Sequence, residues 1–154
     1  MSFAVVPLGT VVGGRSDPAN TDNWGAVTSI VVIDERFGDD CLVGLSEFSH
    51  VEVVFLFDRA VERPDYRGLL RPRGRSDLPA VGVFAHRGPR RPNRIGVTMC
   101  EVIGAAGREL HVRGLDAVDG TPVLDLKPVM VELLPTDVRQ PRWVTTLMRR
   151  YMSP

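Results

Sequence analysis

Cysteine is scarce in this sequence, and the way its two cysteines are placed excludes some classes of protein. Cys41 and Cys100 are the only two among 154 residues, and each lies inside an apolar run. Such a pattern predicts buried free thiols rather than a disulfide framework. Three scattered histidines and two isolated cysteines also lack the spacing of zinc ligands, so no metal is expected.

Net charge and long apolar runs are missing as well. The formal net charge is zero, so binding to a polyanion must depend on where the charges lie. No apolar run approaches the ~20 residues that span a bilayer, and no charged start leads into an apolar stretch. We therefore expect neither membrane insertion nor export, and a cytoplasmic location.

Lysine is nearly absent, since Lys127 is the only one and the other 18 of the 19 basic residues are arginines. Ten of them fall between Arg59 and Arg94 against three acidic residues, which gives that stretch a charge of +7. Arginine suits bidentate recognition of carboxylate or phosphate. The stretch is therefore a candidate surface for an anionic ligand.

Short segments rich in valine and isoleucine recur along the chain, separated by Gly, Pro and Asp, which is the spacing of β-strands. The segments that we expect to form strands are 3–8, 26–33, 51–57, 80–84, 95–102, 110–115 and 129–134. Strict alternation from Glu109 to Arg113 predicts that Leu110 and Val112 face the core and that His111 faces solvent. No helix is predicted between these segments to cover a sheet edge. Closure of the sheet into a barrel would remove the exposed edges. We predict an all-β-dominated fold, a small closed β-barrel of about seven strands.

The chain length fits one domain, residues 1–154, with its core in 3–134. One helix is predicted over about 140–151, because apolar residues recur there at helical spacing after Pro141. Those residues are Val144, Leu147, Met148 and Tyr151.

The first of two dense segments, Ala85 to Gly96, is an arginine-rich loop between apolar stretches. Pro89 and Pro92 fix backbone angles and lower the entropy that is lost when the loop is ordered. The loop is therefore suited to hold side chains toward a ligand. A solvated arginine loop without a ligand is the alternative reading.

The second dense segment runs from Asp116 to Pro128. Its Asp-Gly before Thr-Pro indicates a turn. Five polar residues lie there among apolar ones, and an unpaired buried polar group costs about 1 to 3 kcal/mol. They must therefore pair with one another, for example as an internal Asp125–Lys127 ion pair, or meet a ligand. The five are Asp116, Asp119, Thr121, Asp125 and Lys127.

Taken together, the two segments resemble a known family. With the three residues before it, the first reads Gly-Val-Phe-Ala-x-Arg-x-Pro-x-Arg-Pro-Asn-x-Ile-Gly from Gly82, and with the residue before it, the second reads Leu-Asp-x-x-Asp-Gly-Thr-Pro-Val-x-Asp-x-Lys-Pro from Leu115. Gly44 to His50 resembles that family's Gly-Leu-x-x-Phe-Ser-His motif. The family is the TsaA-like, or TrmO, family of β-barrel methyltransferases, and the resemblance covers residues 3 to about 134. Three positions depart from the family pattern: Asp58, Arg94 and Val129.

The resemblance implies an S-adenosylmethionine-dependent enzyme that methylates N6 of threonylcarbamoyl-adenosine at position 37 of tRNA. It also implies a homodimer with the cofactor near the subunit interface. Arg87 would suit the cofactor carboxylate and Asp116 its ribose hydroxyls, while Trp24 would stack on a base or pack in the core. The implied cofactor contacts are Asn23, Trp24, Asp58, Arg59, Arg87, Val97, Gly114, Leu115 and Asp116.

Residues for catalysis and for RNA binding follow as hypotheses. Asp119 or Asp125 would accept the N6 proton, and Lys127 lies beside them. Arg71, Arg73, Arg75, Arg90, Arg91 and Arg94 would receive the RNA backbone. Two alternatives remain open: a methyltransferase with a small-molecule acceptor, and a noncatalytic nucleic-acid-binding barrel.

Overall fold

A computed structural model describes all of residues 1–154 and shows a closed antiparallel β-barrel with one C-terminal helix. The strands follow one another around the barrel in the order β1-β2-β5-β4-β3-β6. The predicted architecture is therefore confirmed, with six strands rather than seven. Their bounds are β1 Gly9–Val12, β2 Thr28–Ile33, β3 His50–Leu56, β4 Ile95–Ala106, β5 Glu109–Arg113 and β6 Pro122–Pro128.

Three of the predicted strands are wrong. Residues 3–8 form no strand, 80–84 hold only a single bridge from Val81 to Leu70, and 129–134 contain a 3-10 turn. These segments are apolar, but a strand also needs a neighbour to accept its backbone hydrogen bonds. The strands that could accept these bonds pair with β1 and β6 instead. The hydrophobic pattern did not indicate β1 and β6, because they begin at Gly9 and Pro122.

The core lies inside the barrel and is built from the alternating faces of the strands. Val51, Val53 and Phe55 of β3 are at most 1% exposed, and Leu110 and Val112 of β5 are fully buried. The predicted orientation of β5 is thus confirmed. The Phe55 ring meets Phe57 edge to face at 5.1 Å between centroids, which closes the core toward one barrel end.

A bulge in the β3–β6 pair decides which way the residues of β6 point. The register shifts between Val54 and Phe55: Phe55 lies opposite Val123, whereas Val54 lies opposite Asp125 and Val53 opposite Leu126, so that the extra residue Leu124 separates Val123 from Asp125. Residues directly opposite each other share a face of the sheet. Because Val53 is buried, Val54 and Asp125 lie on the outer face of the barrel, and Lys127 lies there too, opposite Glu52.

The helix is shorter than predicted. Helix α1 spans Arg142–Met148, and the chain then turns back so that Asn23 and Trp24 donate backbone hydrogen bonds to Arg150 O and Tyr151 O at 2.7 and 2.8 Å. These two bonds fix the backbone of residues 150 and 151 against the loop, so the helix does not continue to residue 151 as predicted. No helix in the structure has the length and apolarity that crossing a membrane requires.

Both cysteines are free, as predicted, but they differ in burial. Cys100 lies in the core at 2% exposure. Cys41 is exposed, so its predicted burial is wrong. It lies in the loop after the 3-10 turn Glu35–Phe37, at a position where no strand carries it inward.

Candidate functional site

Three loops meet at one end of the barrel, which we call the rim. They are residues 13–27, 57–94 and 114–121, and antiparallel pairing brings their strand ends together. Arg59 joins all three, since its Nη2 donates to Asp119 O at 2.8 Å and its Nη1 donates to Ser16 O at 3.4 Å. Asp119 N also donates to Arg15 O at 2.7 Å. Segments that are far apart in sequence thus form one connected surface.

Asp116 is half-buried at the centre of the rim, just after β5. Gly114 makes the turn that places it, with a φ of 85° that favours glycine. Thr98 Oγ1 donates to Asp116 Oδ1, and the Tyr151 hydroxyl donates to Oδ2. Burial first, and then the charge of Asp116, raises the pKa of Tyr151 well above its usual value, so this hydroxyl keeps its proton. The carboxylate is therefore fixed between two donors.

Arg87 connects the arginine-rich loop to the first residues of β4. Its Nη2 donates to Val97 O at 2.5 Å, so two of the predicted cofactor residues are in direct contact. The loop itself is tightly folded, because Arg91 Nη1 donates to His86 O at 2.8 Å. Its predicted order thus has a structural basis in side-chain to backbone bonds as well as in its prolines.

His86 is a structural residue of this loop. Its Nδ1 accepts a hydrogen bond from Gly88 N at 3.0 Å, and its Nε2 is buried without a partner. Burial, and after it the charges of Arg91 and Arg63, lowers the pKa of His86. The ring is therefore neutral near pH 7, and its buried Nε2 does not face the rim surface.

The first loop is held by Arg15, which the sequence did not single out. Its guanidinium lies 4.5 Å from the centroid of the Trp24 ring, and its Nη2 donates to Asn23 O at 2.7 Å. Trp24 is 4% exposed, so of its two readings the structure shows packing rather than an open stacking surface. Asn23 has a positive φ of 59°, a conformation that asparagine tolerates.

Asp119 is exposed on the rim beside Asp116. Its Oδ1 accepts a hydrogen bond from Gly13 N at 2.8 Å, which fixes the carboxylate while Oδ2 has no hydrogen bond. Asp58 and Arg59 are also exposed at the end of β3. The rim surface thus exposes the carboxylates of Asp119 and Asp58, which accept hydrogen bonds, and the guanidinium of Arg59, which is a cation.

Asp125 and Lys127 do not join this group. Their side chains form an ion pair of 2.9 Å, as the sequence suggested, but the pair lies exposed on the outer wall and not under the site. The bulge in β6 is the physical cause, because it turns both residues outward.

Most of the arginines that were assigned to RNA already have partners within the chain. Arg73 Nη1 bonds Asp22 Oδ1 at 3.0 Å, and Arg75 Nη2 bonds Asp77 Oδ2 at 2.5 Å. Such exposed pairs are weak enough to exchange for a phosphate. Arg90 is the one without an internal hydrogen bond; Arg71 bonds Leu78 O, Arg91 bonds His86 O, and Arg94 bonds Ala60 O and pairs with Glu62.

Sequence reasoning missed Arg15, Thr98 and Tyr151 as parts of the rim. Tyr151 lies 35 residues from Asp116, and was assigned to the apolar face of a helix. Thr98 lies inside an apolar strand. Nothing in the local sequence of either residue indicates its partner, since only the closed barrel brings them together.

A family model described as the tRNA-methyltransferase O N-terminal domain matches residues 15–133. This chain belongs to the TrmO N-terminal domain family. The resemblance seen in its two motifs is thereby confirmed. Every candidate cofactor residue lies inside the matched range, from Asn23 to Asp116, whereas Tyr151 lies beyond its end.

Relatives of this TrmO domain include proteins of very different length. A mouse protein named tRNA (adenine(37)-N6)-methyltransferase is 40% identical over 91 residues, which are 59% of this chain and 21% of that protein. A Methanothermobacter thermautotrophicus protein named a probable S-adenosyl-L-methionine-binding protein is 42% identical over 131 residues, covering 83% of this chain and 90% of that one. The chain thus spans about a fifth of the mammalian relative and nearly all of the archaeal one.

Solved structures agree with the assignment to the TrmO family. A crystal structure of TrmO has a TM-score of 0.75 and 29% identity, with 91% of this chain and 64% of that chain covered. TrmO from Pseudomonas aeruginosa has a TM-score of 0.74 at 29% identity, covering 90% of this chain and 61% of the other. This chain therefore shares its fold with known TrmO structures.

Proposed function

We propose that this TrmO domain is an S-adenosylmethionine-dependent methyltransferase that methylates N6 of threonylcarbamoyl-adenosine at position 37 of tRNA. The names of the mouse and archaeal relatives support the acceptor and the cofactor, respectively. We also propose a cytoplasmic location, as the sequence led us to expect.

The observation that carries the proposal is the meeting of the candidate cofactor residues at the rim. Asp116, Val97 with Arg87, and the loop that holds Asn23 come from three separate regions of the sequence. A small number of polar groups that converge from separate segments is what fixes the orientation of a small ligand in its site. Asp116 is not part of the hydrophobic core of the barrel, so packing of the core does not account for an aspartate at this position.

The residues fit the cofactor chemically. Asp116 offers carboxylate lone pairs for ribose hydroxyls, since each oxygen accepts more than one hydrogen bond. Arg87 offers a planar fork for a carboxylate. When bound, S-adenosylmethionine would supply a methyl group that a nucleophile attacks in line with the carbon–sulfur bond. The neutral thioether S-adenosylhomocysteine would be the leaving group.

The protein has two tasks in such a transfer. It must hold the acceptor nitrogen in line and exclude water, which positioning on a rigid rim achieves. It must also provide an oxygen for the N6 proton. We place that role on Asp119, because its Oδ2 is free and its Oδ1 is fixed by Gly13 N, whereas Asp125 and Lys127 lie on the outer wall.

A homodimer is part of the proposal. Apolar side chains are exposed on the segments that leave the barrel at the end opposite the rim, for example Phe3 at 83%, Val131 at 80% and Leu133 at 77%. An interface there would lie away from the candidate cofactor residues, which differs from the arrangement that the resemblance implies. Exposed apolar groups of this kind are typical of association surfaces. In sedimentation experiments Val131→Glu should shift the protein toward the monomer mass, while Val61→Glu should not, and a monomeric wild type would rule out the dimer.

One observation favours a second candidate, a small-molecule acceptor at the same cofactor site. Arg71, Arg91 and Arg94 donate to backbone carbonyls within the chain and only Arg90 has no internal bond, so fewer of the six assigned arginines are available to phosphate than the sequence suggested. Phosphate binding would make affinity fall steeply with salt, whereas a small neutral acceptor would respond little.

The decisive experiment incubates the protein with methyl-labelled S-adenosylmethionine and total tRNA from a strain that lacks its own copy of the gene. We expect label in N6-methylated threonylcarbamoyl-adenosine, and a strongly reduced rate for Asp119→Ala. Cofactor binding without label in tRNA would favour the small-molecule acceptor. Absence of cofactor binding together with salt-sensitive RNA binding would favour the noncatalytic barrel.

A further inference from the structure

The C-terminal segment, residues 149–153, lies against the rim on the side of Asp116. Asn23 N donates to Arg150 O at 2.7 Å and Trp24 N donates to Tyr151 O at 2.8 Å. A Cβ on Gly25 would lie 2.1 Å from Met152 O, so only glycine allows this approach. The segment thus holds the same loop that carries two candidate cofactor residues.

Tyr151 is the residue of this segment that reaches furthest into the rim. Its hydroxyl donates to Asp116 Oδ2, opposite the bond from Thr98 to Oδ1. Its ring lies 5.6 Å from the guanidinium of Arg73, which is itself fixed by Asp22 at 3.0 Å. The tyrosine is therefore fixed at both its ring and its hydroxyl.

The two hydroxyls restrain the carboxylate of Asp116 from both sides. A carboxylate that is free to rotate loses conformational entropy when a ligand orders it, and that loss weakens binding. One that is already oriented does not pay this cost. Each oxygen retains a lone pair for a further donor, so the carboxylate can still accept hydrogen bonds from the two hydroxyls of a diol.

We propose that Tyr151 is a positioning residue of the cofactor site, which orients Asp116 toward the ribose hydroxyls from outside the residues that the family model matches. The inference rests on the proposed function, because it assigns the rim to S-adenosylmethionine. It goes beyond the family assignment, since the family model ends at residue 133. It predicts that the ribose contact depends on a C-terminal segment that the TrmO domain model does not include.

The test compares Tyr151→Phe with Tyr66→Phe, the only other tyrosine of the chain. The hydroxyl of Tyr66 makes no hydrogen bond within the chain, so Tyr66→Phe is a matched control. Calorimetry would measure binding of S-adenosylhomocysteine and of its 2′,3′-dideoxy analogue, which lacks the ribose hydroxyls. Loss of a hydrogen bond to a charged group should weaken binding of S-adenosylhomocysteine to Tyr151→Phe about tenfold.

Two further readouts separate positioning from a general loss of structure. The dideoxy analogue should bind wild type and Tyr151→Phe equally, because it lacks the ribose hydroxyls that Asp116 would contact in either protein. Turnover at saturating cofactor should be unchanged while the KM for cofactor rises. Thr98→Val, which removes the hydroxyl on the other oxygen, should show the same dependence on the ribose hydroxyls.

Each other outcome overturns the proposal. Equal affinity of Tyr151→Phe and wild type for S-adenosylhomocysteine would mean that the hydroxyl does not position Asp116. Tighter binding by Tyr151→Phe would show that the segment competes with the cofactor. An equal loss for both ligands would indicate a structural role only. A wild type that binds neither ligand would instead refute the proposed function.

Discussion

Gly96 in β4 shows how closely a single residue is fitted into this barrel. A Cβ at this position would lie 2.5 Å from ring carbons of Phe55 and 2.9 Å from Phe57. The glycine is therefore required by the aromatic pair that closes the core, and not by its backbone angles. Gly104 on the same strand has no heavy atom within 4 Å of such a Cβ.

These two glycines give a matched pair of variants. Gly96→Ala should lower the free energy of unfolding by about 1 to 3 kcal/mol, because an added methyl overpacks the Phe55 ring. Gly104→Ala should change it little, since the added methyl meets open space. Chemical denaturation would measure both, and equal effects would contradict the packing that we describe.

The two cysteines differ in reactivity for a physical reason. Burial, helped by the charge of Asp116, raises the pKa of Cys100 to about 12, so almost no thiolate forms near neutral pH. Cys41 is exposed. Mass spectrometry after iodoacetamide treatment should find one alkylated cysteine, Cys41, in the native protein and two after denaturation. Rapid modification of native Cys100 would show that the core at β4 is more open than described.

At the scale of elements, the sequence predicted those strands that are bounded apolar segments. Strands β3 and β5 were located within one or two residues at each end, β3 because it is an apolar run and β5 because its polar and apolar residues alternate. Strand β6 was hidden in the Asp-Gly-Thr-Pro motif, where polar residues and a proline argue against a strand. A bulge that turns Asp125 outward depends on the partner strand and leaves no local signal.

Loop 13–24 illustrates what closure of the barrel adds. Its conformation depends on Arg15, which bonds Asn23 O and covers Trp24, and on the C-terminal segment. The family resemblance placed two candidate cofactor contacts in this loop, Asn23 and Trp24. The residues that hold it in place come from sequence-distant contacts.

Arg15→Gln should therefore loosen this loop without unfolding the barrel. Loss of the cation-π contact and of the bond to Asn23 O should raise amide hydrogen exchange at residues 20–25 by about tenfold. Arg36→Gln, which removes a comparable bond to Pro7 O at the opposite end, is the control. Unchanged exchange in the Arg15 variant would show that the loop is held by other contacts.

For the whole molecule, the two ends of the barrel differ in charge. The rim carries the arginine cluster of residues 59–94 and the candidate site, together with exposed apolar side chains such as Phe84, while the opposite end carries exposed apolar segments such as Val131 and Leu133. The uneven charge along the sequence predicted the first surface. The second was not predicted, because residues 129–134 were expected to be buried as a strand.

The most direct test of the account is calorimetric titration of S-adenosylmethionine into the wild type, Asp116→Ala and Asp39→Ala. Asp39 carries the same side chain at the far end of the barrel, where it pairs with Arg108 at 3.0 Å. The account predicts one cofactor per chain for wild type and Asp39→Ala, and at least tenfold weaker binding for Asp116→Ala, since a charge-assisted contact is lost. Absence of binding to the wild type, or equal binding by all three proteins, would contradict it.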